Sequence, residues 1–406
     1  MDIFIARQPI FNKKREIYAY ELLFRDGIDN LFPDIDGDLA TSRVLSQTFF
    51  NTGIEKITGG KKAFINFSRE LLVSKIPLMF PSNLTSIEVL ESVEPDESLI
   101  ESCHQLKQKG FSIVLDDFVY QQSLDKLIKE ADLIKIDFQK SSRAKIEEDI
   151  EQLSSFDITL IAEKVETFEE LNEALEMGFS YFQGYFFCKP QILREKDVPP
   201  IKSNLLDIIA ELNNRDFCIK TLQNLIERDV GVSYKLLRHL NSPYYRTLCE
   251  INSVRHAIVL LGERSIRQFL SVIIMSGLSS DKPDELTRNS IIRAKFCQQL
   301  GNTGGIRPNP SELFTLGLFS HIDAILDNNM EKILKSLPLT DRIKHALMEQ
   351  DSDLRDYLEL VICYERGNWS DVIKSASSLN ISPDKISKIY IDALHWADSF
   401  DMSMCA

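Results

Sequence analysis

Residues 111–118 read FSIVLDDF, and residues 133–138 read LIKIDF. Each is a short apolar, β-branched run ending in charge: Asp116 and Asp117 in the first, Lys135 in the second. The same shape recurs outward in both directions, with Glu21 in YELLFR, Asn66 in FINFS, Glu91 in IEVLES, Glu163 in LIAEKVE and Gln183 in YFQGY. Steps from Asn66 to Glu91 to Asp116 are 25 residues each, and the next, to Lys135, Glu163 and Gln183, are 19, 28 and 20. That is about one strand-plus-helix unit per step. Strand candidates are Ile17–Leu23, Ala63–Phe67, Thr85–Leu90, Phe111–Leu115, Leu133–Ile136, Thr159–Ala162 and Tyr181–Phe182. Helical patterns lie between them at Leu39–Phe50, Glu97–Lys109, Leu124–Ala131, Lys145–Leu153 and Phe168–Met177. Gly110 and Gly178 follow two of these helices as C-terminal caps do. Such alternation predicts a mostly parallel sheet. Polar groups at the C-terminal ends of parallel strands converge on one face of a barrel, where barrel active sites lie. One charged residue after a strand is ordinarily a loop residue or a helix cap. Seven units in register, with five carboxylates and one lysine, point to a shared site.

Glu21, Asn66, Glu91 and Asp116 offer oxygen ligands, which favour Mg²⁺, Mn²⁺ or Ca²⁺ over zinc. Asp116 beside Asp117 could place one carboxylate between two ions and the second on the outer ion. Two such ions can clamp a phosphodiester and activate water for in-line attack. Lys135 is suited to stabilising the attacking water or the charge developing on phosphorus. Arg25 is a candidate phosphate contact through its planar guanidinium.

Beyond the segment EKDVPPI (Glu195–Ile201), which reads as a linker, the pattern turns wholly helical. Periods run over Leu205–Leu212, Val232–Leu240, Val254–Leu261, Ile266–Leu278, Ile291–Leu300, Leu313–Leu326, Asp341–Met348, Leu354–Tyr364 and Asp384–Phe400. Ser253 and Ser311 sit where helix N-caps belong, and Pro383 opens the last helix. The run Phe269–Leu278 reads as buried core.

The 406 residues hold 47 Lys and Arg against 61 Asp and Glu, a net charge of −14. The first 200 residues carry 23 of the basic and 35 of the acidic groups. So acidic a half is a poor non-specific binder of nucleic acid. Hydrophobic residues at 44% exclude a disordered chain. Seven scattered cysteines without a CxxC pair argue against a zinc ribbon and suit a reducing cytoplasm. The opening MDIFIARQPIF lacks the apolar core of a signal peptide. The longest uncharged apolar run, Gln268 to Ser280, is too short to span a bilayer.

The ordered motifs E-x-L-x-R (Glu21, Leu23, Arg25), N-x-S (Asn66, Ser68), Glu91, D-D-F (Asp116–Phe118), K-I-D (Lys135–Asp137), A-E-x-V-E-T (Ala162–Thr167) and Q-G-Y-x-F-x-K-P (Gln183–Pro190) resemble those of EAL domains, which are cyclic di-GMP phosphodiesterases. KLLRHLNSPYY (Lys235–Tyr245) and INSVRHAIVLLG (Ile251–Gly262) resemble HDOD domains, helical relatives of the HD phosphohydrolases without their metal centre. The whole is similar to the EAL–HDOD proteins. That resemblance implies an α/β plus all-α chain: a TIM-like (β/α) barrel over residues 1–197 and an all-helical HDOD domain over 198–406.

It further implies hydrolysis of cyclic di-GMP to linear pGpG. Glu21, Asn66, Glu91 and Asp116 would hold a first metal, and Asp116, Asp117 and Glu163 a second. Lys135, Glu163, Asp117 and Glu21 would be catalytic, Arg25, Leu23, Gln183, Phe118 and Pro190 would contact substrate, and Glu166 would support the site. Mg²⁺ or Mn²⁺ would be the cofactor, and Ca²⁺ would bind but inhibit. A homodimer, a protein partner on the HDOD domain and a cytoplasmic location are the expected setting, with no nucleic acid and no membrane insertion.

The sequence departs from the family at Leu22, at Lys164 where glycine is usual, and at Val119–Gln122 in place of a glycine-rich loop. Val and Tyr cannot cheaply adopt the conformations glycine permits, so the changed loop could slow turnover while leaving nucleotide binding intact. Three functions therefore stand open: a phosphodiesterase, a receptor that binds the dinucleotide without useful hydrolysis, and a nucleotide-independent scaffold. In the helical half, His321 and Asp323 are two apart on a helix and make a poor metal pair.

Overall fold

The computed structural model describes residues 3–26, 53–91, 93–189, 200–214, 218–240, 253–279, 282–303, 308–337 and 339–399. The expected helix Leu39–Phe50 and residues 195–199 of the linker lie outside these, as does the expected division at 197/198. The chain separates into two units, residues 1–187 with 364–370, and residues 188–363 with 371–406.

In the first unit the strands β1 (Ile3–Asn12), β2 (Ile17–Asp26), β3 (Lys62–Phe67), β4 (Thr85–Val89), β5 (Ser112–Leu115), β6 (Leu133–Asp137), β7 (Thr159–Glu163) and β8 (Tyr181–Gln183) close into a barrel in sequence order. From β2 to β8 neighbours are parallel, as expected. β1 was not foreseen. It pairs antiparallel with β2 and again with β8, so the sheet is not uniformly parallel. Its Pro9 lacks an N–H, which discourages a central-strand reading. Here β8 meets β1 only from Ile10 to Asn12, so Pro9 has no β8 partner to disappoint.

Helices α1 (Ile54–Thr58), α2 (Arg69–Val73), α3 (Glu97–Gln108), α4 (Asp125–Ile128), α5 (Arg143–Leu153) and α6 (Phe168–Glu176) connect the strands. Their starts are fixed by side chains. Ser68, Asp96 and Ser142 accept backbone N–H groups at α2, α3 and α5. Thr167 and Glu170 form a reciprocal capping box on α6, a device in which each cap stabilises a helix by about 1 kcal/mol.

Strand side chains alternate, so every second residue enters the barrel. Ile10, Ala19, Phe64, Val114, Leu133 and Ile161 make one buried layer, closed by Tyr18 and Tyr181. A fully buried Phe such as Phe64 contributes about 1.5–3 kcal/mol. This layer is the floor beneath the polar groups described next.

The second unit is helical, as expected: α7 (Pro200–Asn213), α8 (Ile219–Glu227), α9 (Val230–Leu240), α10 (Val254–Leu278), α11 (Asp284–Gly301), α12 (Pro310–Phe319), α13 (Ile322–Leu326), α14 (Met330–Ser336), α15 (Asp341–Leu347), α16 (Arg355–Glu365), α17 (Trp369–Ser378) and α18 (Pro383–Ser399), with the last two residues of α16 and the first two of α17 counted in the first unit. Ser253 caps α10 by accepting the His256 N–H. The expected cap Ser311 is corrected to Asn309, which accepts the Ser311 N–H while Pro310 opens the helix. Within α10, Gly262 takes φ 70° and breaks the helix, and the stretch from Phe269 to Leu278 is largely buried core. His321 caps α13 and does not share a helix face with Asp323. Among the described residues no helix is long and apolar enough to cross a membrane.

Candidate active site

One inward position further along, each parallel strand puts a polar side chain into the barrel: Glu21 after Ala19, Asn66 after Phe64, Glu88 after the buried Ser86, Asp116 after Val114, Lys135 after Leu133, Glu163 after Ile161 and Gln183 after Tyr181. β1 runs the other way and supplies Gln8, opposite Glu21.

Lys135 stands at the centre. It is fully buried, and its Nζ lies 3.2 Å from Glu21 Oε2, 2.9 Å from Glu88 Oε1, 3.0 Å from Asp116 Oδ1 and 3.0 Å from Glu163 Oε1. An ammonium has three N–H bonds, so four carboxylates cannot all be satisfied at once. Glu21 is the best supported. Its Oε1 accepts from Asn66 Nδ2 at 3.1 Å and its Oε2 from Gln183 Nε2 at 2.6 Å. Gln183 Nε2 also donates to Gln8 Oε1 at 3.1 Å.

The electrostatics follow this sharing. Burial would raise Glu21, but Lys135, Gln183 and Asn66 outweigh it and hold the carboxyl below its usual value. Burial, with Glu21 and Asp116 nearby, drives Glu88 well above its usual value. Asp116 is raised chiefly by burial, and burial lifts Glu163 to about 7. Burial opposes the charge on Lys135, yet the surrounding carboxylates hold its pKa well above normal. Fully ionised, the cluster has four negative charges for one positive charge. Asn66 Oδ1 and Glu88 Oε2 are buried without a hydrogen-bond partner, although buried acceptors are ordinarily satisfied. Unmet oxygen acceptors and surplus negative charge fit a hard divalent cation. Among the described residues no three His, Cys, Asp or Glu side chains form a ready cage, and the Lys135 ammonium lies within 3.2 Å of all four carboxylates.

The structure thus brings Glu21, Asn66, Asp116, Lys135, Glu163 and Gln183 together. Glu91 is corrected: β4 ends at Val89, Glu91 is exposed beyond it, and Glu88 occupies the inward position. Leu23, two residues on from Glu21, shares its face of β2. Phe118 is buried, and its N–H bonds Lys135 O at 3.0 Å. Glu166 is exposed, and its backbone N–H donates to Glu170 Oε2 at 2.7 Å in the capping box. The side chain of Arg25, and all of Pro190, lie outside the described residues.

Asp117 faces away from Lys135. After each of the inward residues Asp116, Glu163 and Gln183, the next residue has a positive φ: 44° at Asp117, 55° at Lys164 and 148° at Gly184. A Cβ on Gly184 would lie 2.0 Å from Val165 O, so only glycine fits. Asp117 and Lys164 are turned toward each other, with Lys164 Nζ 3.3 Å from Asp117 Oδ1. Lys140 pairs with the other oxygen. Lys164, Lys140 and their partner Asp137 were not anticipated as a group.

The loop Val119–Gln122 also differs from expectation. None of its residues has a positive φ, and Tyr120 Oη donates to Asp125 Oδ1 at 3.0 Å. The chain takes a path that these side chains adopt without left-handed backbone.

A model of the EAL domain matches residues 59–190, and a model of the HDOD domain matches residues 198–353. The uncharacterized protein YuxH of Bacillus subtilis is 36% identical over 404 residues, 98% of each chain. The cyclic di-GMP phosphodiesterase CdgJ of Vibrio cholerae is 34% identical over 401 residues, 98% of this chain and 93% of that one. A solved structure of Bacillus subtilis YkuI, a protein with an EAL domain in complex with cyclic di-GMP and calcium, is 19% identical. It aligns with 56% of this chain and 72% of that chain at a TM-score of 0.38.

Proposed function

The chain belongs to the EAL–HDOD proteins, and from that premise we propose that its barrel binds cyclic di-GMP and hydrolyses one phosphodiester bond to give linear pGpG. The observation that carries this reading is the convergence of Glu21, Glu88, Asp116 and Glu163 on the Lys135 ammonium, with Asn66 Oδ1 left unpartnered. The whole-length similarity to a protein named a cyclic di-GMP phosphodiesterase supports it.

Glu21, Asn66, Glu88 and Asp116 would hold a divalent cation, Mg²⁺ or Mn²⁺, with Ca²⁺ as a binding but inhibiting substitute. Such an ion, when bound, lowers the pKa of a water and neutralises phosphate charge. Asp117 and Glu163 would be the donors for a second ion, but Asp117 is engaged by two lysines and does not fit one as it stands.

The chain's own groups supply the rest. Water attacks phosphorus, the bond from phosphorus to the ribose 3′ oxygen breaks, and that oxygen leaves as a hydroxyl, which balances the proton that the attacking water gives up. Glu163, raised to about 7 by burial, is poised to accept the proton of the attacking water. Lys135 keeps its charge across the neutral range, so it acts as a fixed positive group against the charge growing on phosphorus. Gln183 and Asn66 fix both oxygens of Glu21 by hydrogen bonds. Leu23 and Phe118 are assigned to the substrate contact.

The HDOD unit, with its boundary at 197/198 in the gap between the two family matches, is assigned a regulatory, partner-binding role. A cytoplasmic, dimeric protein completes the reading.

The test is incubation of the full chain with cyclic di-GMP and Mn²⁺ or Mg²⁺, with pGpG followed by chromatography. A Glu21→Ala variant runs in parallel. Metal-dependent product that vanishes in the variant is expected. Calorimetric binding in Ca²⁺ without product under Mn²⁺ would make the barrel a receptor instead, and no binding at all would make the protein a scaffold.

A further inference from the structure

Two groups of charge sit side by side at the mouth of the barrel, and they differ in balance. The inner group sets Glu21, Glu88, Asp116 and Glu163 against Lys135 alone. The outer group sets Asp117 and Asp137 against Lys140 and Lys164. Inside, positive charge is lacking. Outside, two carboxylates meet two ammonium groups and nothing is lacking.

The outer group is also held in place. Lys164 Nζ lies 2.5 Å from Asp137 Oδ2 and 3.3 Å from Asp117 Oδ1, bridging the two. Asp137 is buried, and its other oxygen accepts the backbone N–H groups of Gln139 at 2.6 Å and Lys140 at 3.0 Å. Lys140 closes on Asp117 from the other side. The backbone of Lys164 is left-handed, a conformation a long side chain adopts at a cost that glycine avoids. That conformation aims the ammonium at Asp117. A second divalent ion on Asp117 would have to displace two ammonium groups of its own sign of charge.

We propose that Lys164, seated by Asp137 and joined by Lys140, replaces the outer cation, so that this barrel loads one divalent ion, on Glu21, Asn66, Glu88 and Asp116. The inference rests on the reading of the barrel as a cation-dependent phosphodiesterase. In it, Lys164 neutralises on the outer side of the phosphate what an ion would otherwise neutralise. The lysine at 164 then sets how many ions the barrel loads.

The test is metal counting on the full chain without nucleotide. Mn²⁺ is titrated calorimetrically, and free Mn²⁺ is followed by electron paramagnetic resonance. The wild-type chain should bind one Mn²⁺. The Lys140→Gln, Lys164→Gly pair of changes should bind two. Lys164→Met alone keeps bulk and removes charge, and it should tighten the second ion by about tenfold, the scale of one near-surface charge interaction. Thermal unfolding of each variant checks that it is folded. Two equal sites in the wild type would overturn the proposal, as would one site in both variants. A wild type that binds no Mn²⁺ would instead remove the cation-dependent reading beneath it, so the two failures are distinguishable.

Discussion

Lys135 Nζ lies 2.9 Å from Glu88 Oε1, and neither side chain has exposed surface. Breaking a buried pair by removing one member leaves an uncompensated charge, which costs about 3–5 kcal/mol. Lys135→Met should therefore destabilise the metal-free protein by about that amount in a urea titration. Millimolar Mn²⁺ should restore part of the loss, since an ion that binds only the folded state stabilises it. A loss that Mn²⁺ leaves untouched would argue against a cation among these carboxylates.

Glu88 and Glu91 sit on one strand and its exit, and only Glu88 faces the cluster. Glu88→Gln should weaken Mn²⁺ binding at least about tenfold more than Glu91→Gln, the scale of one lost ligand charge. Calorimetry on both variants decides it. Equal effects would return Glu91 to the ligand set. Its expected influence is indirect, because it is among the weaker causes, after Asp117, that raise the pKa of Lys140.

Glu163 ionises near pH 7 when folded against an ordinary value of 4.5, because it is buried. A carboxyl with a raised folded pKa holds its proton more tightly folded than unfolded. Its contribution to stability is whole below about pH 4.5, declines as the pH rises, and is lost above about 7. The gap bounds the loss at about 3 kcal/mol. Metal-free protein should accordingly melt at a lower temperature at pH 8 than at pH 5, by several degrees. Glu163→Gln should flatten that slope, and an unaltered slope would assign it to other groups.

Gly184 cannot accept a side chain, because its Cβ would lie 2.0 Å from Val165 O. Gly184→Ala should shift Gln183 and loosen its bond to Glu21. The expected result is a stability loss of about 1–3 kcal/mol, the usual scale of overpacking, together with weaker Mn²⁺ binding. Unchanged metal affinity would show that Gln183 does not depend on this turn.

Much of the site was readable in the sequence, since Asn66, Asp116, Lys135 and Glu163 each end an apolar run and strand periodicity aims them inward. Glu88 was hidden by a coincidence of spacing. Equal steps from Asn66 to Glu91 to Asp116 drew attention to Glu91, whereas the period of two from Ser86 selects Glu88. β1 was hidden because Pro9 spoils its strand pattern and because alternation of strands and helices says nothing about a reversed first strand. The pairing of Asp117 with Lys164 depends on two left-handed residues on strands that are not adjacent. A linear motif records neither their backbone angles nor their approach. The path of the Val119–Gln122 loop is hidden for a related reason, since a residue pattern does not record that the backbone there avoids the left-handed region.

Reversal of β1 also bears on how the barrel comes to exist. β1 precedes the other strands, yet Ile10 waits for Gln183, which belongs to the last of them. Closure is thus the pairing with the greatest separation along the chain, and such contacts slow folding because the intervening segment must first be confined. Until β8 arrives, β1 and β7 each present an open edge on which another chain can add. Synthesis or proteolysis that stops short of Tyr181 should leave a sheet prone to self-association, so the arrival of three residues, Tyr181 to Gln183, sets the solubility of every incomplete product.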